Sequence, residues 1–354
     1  SALSGCTTMF DHSHIWKSGS RVDHQIAAAA EIGVRFHASR GSLSLGESPG
    51  GLPPDEVTED EDFIWVDCQR VIEEYHDPSP GSMIQIVLSP CSPFSVTADL
   101  MRNSAELARQ YESVGLHTHL AETLDEEKYT LESYGLRPVA WMETVDWLGD
   151  DVWYAHAVHV NADEIRLMAA TGTGVAHCPN SNMRLASGIA PVKEYRDAGV
   201  NVGIGVDGSA SSDASHLLLE VRQAMYLARL RIGLRPPEGP MTVLSTSDPL
   251  RRGEWVTARD AIEIGTRGGA AVLGRQDIGH LAPGMCADFF SIDLFRMDLA
   301  GGLADGVGSI IFCAPQKTKY TVVNGNVIVK DSQIATIEMG PVLEEHARHA
   351  RHLW

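Results

Sequence analysis

Short apolar or β-branched runs alternate with longer amphipathic stretches from the first residues to about residue 275. The runs at 6–11, 34–39, 84–90, 116–121, 152–156, 174–179 and 200–207 are too short for independent helices and are bounded by turn formers, so each predicts a strand. Between them, 20–32, 63–75, 97–114, 125–134, 162–170 and 215–232 carry helical spacing, most of them starting near a Ser, Thr or Asp able to cap a helix. Such alternation predicts βα units around a parallel sheet, an α/β fold of the (β/α)8 TIM-barrel type. Seven strands are legible where a barrel needs eight, and the sequence opens directly on a strand. The first barrel strand is therefore expected upstream of Ser1, in a longer protein.

After about residue 275 the pattern changes to short strands with Gly and Pro turns, at 288–293, 309–314 and 320–329, the last with a Val323-Asn324-Gly325-Asn326 hairpin signal. This divides the chain into a barrel over 1–275 and a small β-sandwich-like domain with a C-terminal helix over 276–354. The long Gly- and Pro-rich segment 42–62 follows a strand and is expected to cover an active site. Its acidic end, 56–62, reads as a helix start favoured by the helix dipole. His346, His349 and His352 recur every third residue, which carries them obliquely around a helix and predicts a solvated surface rather than a metal site.

Charge narrows the partners. With 28 Lys+Arg against 47 Asp+Glu, the 354-residue chain has a formal charge of −19, which opposes nucleic acid and anionic membranes as partners. No apolar run approaches the roughly 18 residues of a membrane span and no signal peptide is legible, so a cytoplasmic protein is expected. The six cysteines are scattered and read as reduced thiols. No P-C-x-x-C is present, which excludes the cytidine-deaminase type of zinc site.

In a parallel barrel the reactive groups stand at the C-terminal ends of the strands. Four expected ends carry them: His117-Thr-His119-Leu-Ala-Glu122, His156-Ala-Val-His159, His177 and Asp207. His117 and His119 share a face of their strand. Imidazoles and a carboxylate converging on one mouth suit a borderline divalent ion such as zinc, while Glu122, beyond the strand, can stay off the metal and move protons. For one such histidine alone, a hydrogen bond to a backbone carbonyl beneath a loop is the preferred reading. The recurrence of histidines on successive strand ends together with Asp207 favours the metal, and His177 stays open between the two.

The series His119-x-x-Glu122, His156-Ala-Val-His159, His177-Cys-Pro-Asn-Ser-Asn182, Val206-Asp207-Gly208 and Gly279-His-Leu-Ala-Pro-Gly284 resembles the amidohydrolase superfamily, within it the deaminases of nucleobases and s-triazines. Arg40-Gly-Ser-Leu-Ser-Leu-Gly46, Pro90-Cys-Ser-Pro-Phe94 and Asn182-Met-Arg-Leu-Ala-Ser-Gly188 are similar to the 8-oxoguanine deaminase branch, whose members are often labelled hydroxyatrazine hydrolases. The resemblance implies one divalent metal, zinc with iron as the alternative, held by His119 and Asp207. Asp207 would also be the general base, Glu122 would protonate a ring nitrogen, and His156 would orient the attacking water or polarise the attacked carbon. His117 and His159 would be structural. The family's His-x-His pair on the first strand has no counterpart after Ser1. His12-Ser-His14 follows the wrong strand to replace it, and His12 is expected to line the pocket. Asn180, Asn182 and Arg184 are candidates for orienting the substrate, with the asparagines equally able to shape their loop.

The implied reaction is hydrolysis of 8-oxoguanine to uric acid and ammonia by a homo-oligomer that takes a small nucleobase. Guanine, isocytosine or a hydroxy-s-triazine is the alternative substrate. A catalytically silent barrel that binds a nucleobase-like ligand is the alternative of another class.

Overall fold

The computed structural model describes residues 1–234, 255–313 and 316–351. Seven parallel strands, β1 (Thr8–Asp11), β2 (Arg35–Ser42), β3 (Ile84–Pro90), β4 (Gly115–Leu120), β5 (Val152–His156), β6 (Gly174–His177) and β7 (Val202–Ile204), hydrogen-bond in sequence order. Each expected run overlaps one of them, with β2 continuing three residues past its run and β4 starting one residue before its own. The last strand, β7, is shorter than its run, which leaves Asp207 on the loop beyond it. Every residue of β2 is buried, as a strand covered on both faces requires.

Helices α1 (Val22–Ile32), α2 (Glu61–Tyr75), α3 (Ala98–Ala108), α4 (Leu124–Tyr134), α5 (Pro138–Glu143), α6 (Ala162–Thr171), α7 (Pro179–Arg184) and α8 (Val192–Ala198) occupy the crossovers, and α9 (Leu217–Leu234) follows β7. Their starts are specified locally: the side chains of Asp60, Thr97, Thr123 and Asn161 accept amides of the first turns of α2, α3, α4 and α6. Glu61 and Asp62 in the first turn of α2 bear out the reading of the acidic cluster as a helix start. Phe36, Ile86, Leu88, Leu116, Tyr154, Met168 and Val175 belong to one apolar core. The segment after β2 is pinned to the loop after β3, with the amides of Ser44 and Leu45 on Ser95 O and that of Leu52 on Phe94 O.

The sheet curls so that β1, β7 and their flanks line one cavity of about 370 Å³, bounded also by Val221, Val272 and Phe290. None of His119, Glu122, His156 or Asp207 lines it. The cavity runs along the strands and not over the site described below.

A second sheet of β8 (Phe289–Ser291), β9 (Tyr320–Val323), β10 (Asn326–Lys330) and β11 (Gln333–Ile334) is antiparallel in the order β11-β10-β9-β8. Its hairpin is the expected one: Asn324 (φ 48°) and Gly325 (φ 81°) form a two-residue loop with both φ positive, the type I′ geometry. Arg35, fully buried, ties the two sheets by donating to both oxygens of Asp288 at 3.1 Å and to Gly81 O at 2.8 Å. Truncating either partner would leave a buried charge uncompensated.

The expected strand at 309–314 is a correction: Gly306–Phe312 is a helix. Its Ile310-Ile311 pair reads as a strand by composition, but Asp305 caps the helix through Gly308 N–H at 3.0 Å, and Ile311 packs with Val221, Met225 and Ala228 of α9. Residue 314 lies outside the described residues. The C-terminal helix Met339–Ala350 has no buried residue, as its charge pattern predicts; His352 lies outside the described residues.

His37 on β2 makes stability depend on pH. It is 3% exposed, and its Nε2 has no hydrogen-bond partner. Burial, reinforced by the nearby Arg275 and Arg35 cations, pushes its pKa down from 6.5 to about 3. Between those values the unfolded chain binds the extra proton, so the contribution is complete above pH ~6.5 and is lost as pH falls toward ~3. The midpoint of urea unfolding should drop between about pH 7 and about pH 5, with about 2 kcal/mol of the loss due to this residue. His37→Gln should show a shallower dependence, and identical slopes in the two proteins would refute the assignment.

Candidate active site

Strand exits build the site. β4 ends at Leu120 and turns through Ala121 (φ 52°) into Glu122, β5 ends on His156 (φ 67°) with Ala157 (φ 44°) after it, and Asp207 beyond β7 has φ 63°. Left-handed backbone at a non-glycine residue costs of order 1–3 kcal/mol and persists only where surroundings over-determine it. Here they do: Ala157 N–H donates to Leu120 O at 3.1 Å, and the amides of Val158 and His159 both donate to Ala121 O at 2.9 Å.

His119 Nδ1 donates to Cys91 O at 2.8 Å, which fixes the tautomer and leaves the Nε2 lone pair free. Its ring stacks on His156 with centroids 5.5 Å apart. His156 is buried and donates through Nδ1 to Asn182 Oδ1 at 2.8 Å, while its Nε2 stands 3.7 Å from Glu122 Oε2 and 4.0 Å from Asp207 Oδ2. Burial alone would raise the Asp207 carboxyl, but the hydroxyls of Ser181 and Ser211, the Gly208 amide and His156 outweigh it and hold the group below the usual range. Ser187 donates its hydroxyl to Glu122 Oε1 at 3.2 Å. Ligand atoms of His119, His156 and Asp207 lie within 4.8 Å of one another. Two imidazoles and an ionised carboxylate at that spacing fit a borderline divalent ion.

His12 joins them from the other side. Its ring centroid is 4.4 Å from that of His119, and neither of its ring nitrogens has a partner. Burial and the neighbouring imidazoles hold its pKa well below 6.5, so it is neutral. Gly41 makes room for this segment: a Cβ there would come within 2.3 Å of Ser13 O, to which the Gly41 amide donates at 3.0 Å. With Cys91 and His119, His12 forms a second group of donor atoms within 4.8 Å of one another. Sequence reading missed Cys91, whose signal is its place directly after β3.

The other expected residues stand outside both donor groups. Asn182 is fully buried against His156, and Arg184 pairs at the surface with Asp213. Asn180 donates its side-chain amide to Glu220 Oε1 at 2.7 Å and its backbone amide to Oε2 at 3.0 Å. Glu220, fully buried on α9, also accepts the Ser212 hydroxyl at 3.0 Å and so ties α7 to the loop that follows Asp207. Within an amphipathic stretch it passes for surface charge; its apolar neighbours Leu217-Leu-Leu219 and Val221 are the available signal. His117 and His159 bond the carbonyls of Trp153 (3.0 Å) and Ser187 (2.7 Å). His177 is buried with both ring nitrogens unpartnered, its pKa pushed down to about 3 by burial, and it belongs to neither donor group.

The sequence model of the amidohydrolase family matches residues 2–328. This chain belongs to the amidohydrolase family. It is 44% identical over 348 residues to 8-oxoguanine deaminase of Pseudomonas aeruginosa, an alignment covering 97% of this chain and 72% of that protein. It is 38% identical over 313 residues to isoxanthopterin deaminase from an unknown prokaryotic organism, covering 84% of this chain and 61% of that protein. With hydroxydechloroatrazine ethylaminohydrolase of Pseudomonas sp. it shares 36% over 340 residues, 94% of this chain and 66% of the relative. The chain thus spans between 61% and 72% of the length of these relatives. A zinc complex of atrazine chlorohydrolase from Arthrobacter aurescens matches the fold with a TM-score of 0.89 at 33% identity, over 98% of this chain and 73% of that one. The motif resemblance and the (β/α)8 fold class both stand on these matches. Among the described residues, no helix is long and apolar enough to cross a membrane.

Proposed function

We propose that this protein is a metal-dependent aminohydrolase that converts 8-oxoguanine to uric acid and ammonia, working in the cytoplasm as a homo-oligomer. The observation that carries the reading is the convergence of two carboxylates, Glu122 and Asp207, on His156 Nε2 at 3.7 and 4.0 Å, beside His119. The relatives' activities, hydrolytic deamination of a purine or pterin and ethylamine removal from a triazine, support a ring carbon bearing an amino group as the attacked centre.

His119 and Asp207 would hold the divalent ion, zinc or iron, with His156 close enough to join them. The chemistry such an ion supplies when bound is Lewis acidity, which makes water acidic enough to attack at neutral pH. Asp207 takes a proton from the attacking water. Glu122 protonates the ring nitrogen next to the amino-bearing carbon, which turns a poor electrophile into a good one. His156, fixed by Asn182, points Nε2 at the oxygen that adds. The C–N bond then breaks as Asp207 returns its proton to the amine and the added hydroxyl gives its own proton to Glu122, so that ammonia leaves, the ring carbonyl forms and Glu122 is protonated again. His12, neutral and unpartnered, offers the ring a polar contact, whereas Asn180 and Asn182 support the loop.

Ammonia release by zinc- or iron-loaded protein offered 8-oxoguanine, guanine, isocytosine, isoxanthopterin and a hydroxytriazine tests this. The expected result is kcat/KM at least ~10-fold higher for 8-oxoguanine than for the others, the low end of the discrimination that pocket contacts supply. A faster reaction with another ring would replace the substrate and keep the mechanism. Silence on all five with metal bound would overturn the enzyme and favour a ligand-binding barrel.

A further inference from the structure

Thr123-Leu-Asp-Glu126 at the start of α4 has the spacing of a capping box, in which the fourth residue bonds back to the amide of the first. Thr123 plays its part and accepts the Glu126 amide at 3.4 Å. The Glu126 carboxylate reaches further back. One oxygen accepts the Ala121 N–H at 2.7 Å and the other the Glu122 N–H at 2.9 Å. The residue is 4% exposed, and burial pushes its carboxyl up to about 7 against the pull of the two amides. A side chain so placed is expensive to keep unless the two amides need it.

Those amides belong to the turn that aims Glu122. Ala121 holds φ 52°, its N–H is taken by Glu126, and its carbonyl accepts from Val158 and His159 just beyond the exit of β5. Both sides of the strained residue are therefore held, one by α4 and the other by the segment that follows His156. Glu122 emerges from this clamp with Oε1 on the Ser187 hydroxyl and Oε2 toward His156.

We propose that Glu126 is the positioning residue for proton transfer: its carboxylate grips the Ala121 and Glu122 amides and so fixes the Glu122 carboxyl relative to His156. The inference rests on the reading of Glu122 as the group that protonates the substrate. It requires a carboxylate of this length. Glutamine offers one acceptor oxygen and turns its NH2 toward a donor, and aspartate is one methylene short of both amides.

The test compares Glu126→Gln and Glu126→Asp with the native protein, alone and in combination with Glu122→Gln. Turnover, metal content and amide hydrogen exchange of the peptide over residues 118–126 are the readouts. Glu126→Gln is expected to lower kcat about 10- to 100-fold, the scale of lost supporting contacts, with KM within about threefold and metal content unchanged. Exchange at the Ala121 and Glu122 amides should accelerate. In the Glu122→Gln background the same change should lower kcat by less than about twofold, because a positioning group has nothing left to position. Equal losses in both backgrounds, or native kcat in Glu126→Gln, would overturn the proposal. If Glu126→Gln does not fold, the same criteria apply to Glu126→Asp. Should the native protein release ammonia from no substrate, the deaminase reading fails by itself. Unaltered exchange in both Glu126 variants would sink the clamp whatever the activity.

Discussion

Glu122→Gln should keep its bound metal and lose about 10²- to 10⁴-fold in kcat, the usual contribution of a positioned general acid. The substitution preserves shape and leaves the amide oxygen able to accept the Ser187 hydroxyl, which Glu122 Oε1 now takes at 3.2 Å. What it removes is the transferable proton. Glu122 stands outside both groups of clustered metal donors, so metal content measured alongside kinetics separates its role from theirs. Turnover at the native rate would remove Glu122 from the mechanism. Metal loss in parallel with activity would reassign it as a ligand. Since the ring nitrogen must be protonated before attack, the loss should appear in kcat and kcat/KM equally, the mark of an interaction made in the transition state.

The parallel sheet was legible because its strands are short apolar runs separated by capped helices, and periodicity registers both. Reactive residues at the ends of those runs were legible for the same reason: once a strand is placed, its C-terminal end follows. Three things escaped. Gly306–Phe312 was misread because two isoleucines in a short apolar run suit a buried strand or a buried helix equally, and the Asp305 cap that decides is a single side chain. Cys91 and Glu220 were missed because their importance lies in partners far along the chain, His119 28 residues away and Asn180 40 residues away. Asn180, Asn182 and Arg184 carry groups suited to reading a ring, and the sequence cannot report that Asn180 bonds Glu220, that Arg184 pairs with Asp213, or that Asn182 gives its oxygen to His156 while its Nδ2 has no partner.

His119→Ala should abolish stoichiometric metal binding and turnover together. His119 is common to both groups of donor atoms, His119 with His156 and Asp207, and His119 with His12 and Cys91. Removing it therefore cannot distinguish them, but two further variants can. If the ion sits between His119 and Asp207, Asp207→Ala should also lose metal and Cys91→Ser should retain it. The reverse pattern would move the ion to the thiol side. The geometry favours the first. Asp207 is held as a carboxylate by two hydroxyls, an amide and the neighbouring imidazole, whereas the backbone carbonyl of Cys91 accepts the Nδ1 proton of His119 and so turns that nitrogen into a donor facing residue 91. The lone pair left on Nε2 is the one that can bind a cation, and the Nδ1 bond that fixes it is the kind of outer contact whose loss weakens metal affinity about 10- to 100-fold. His119→Ala removes ligand and anchor at once, so residual metal near one equivalent would refute the ligand assignment outright.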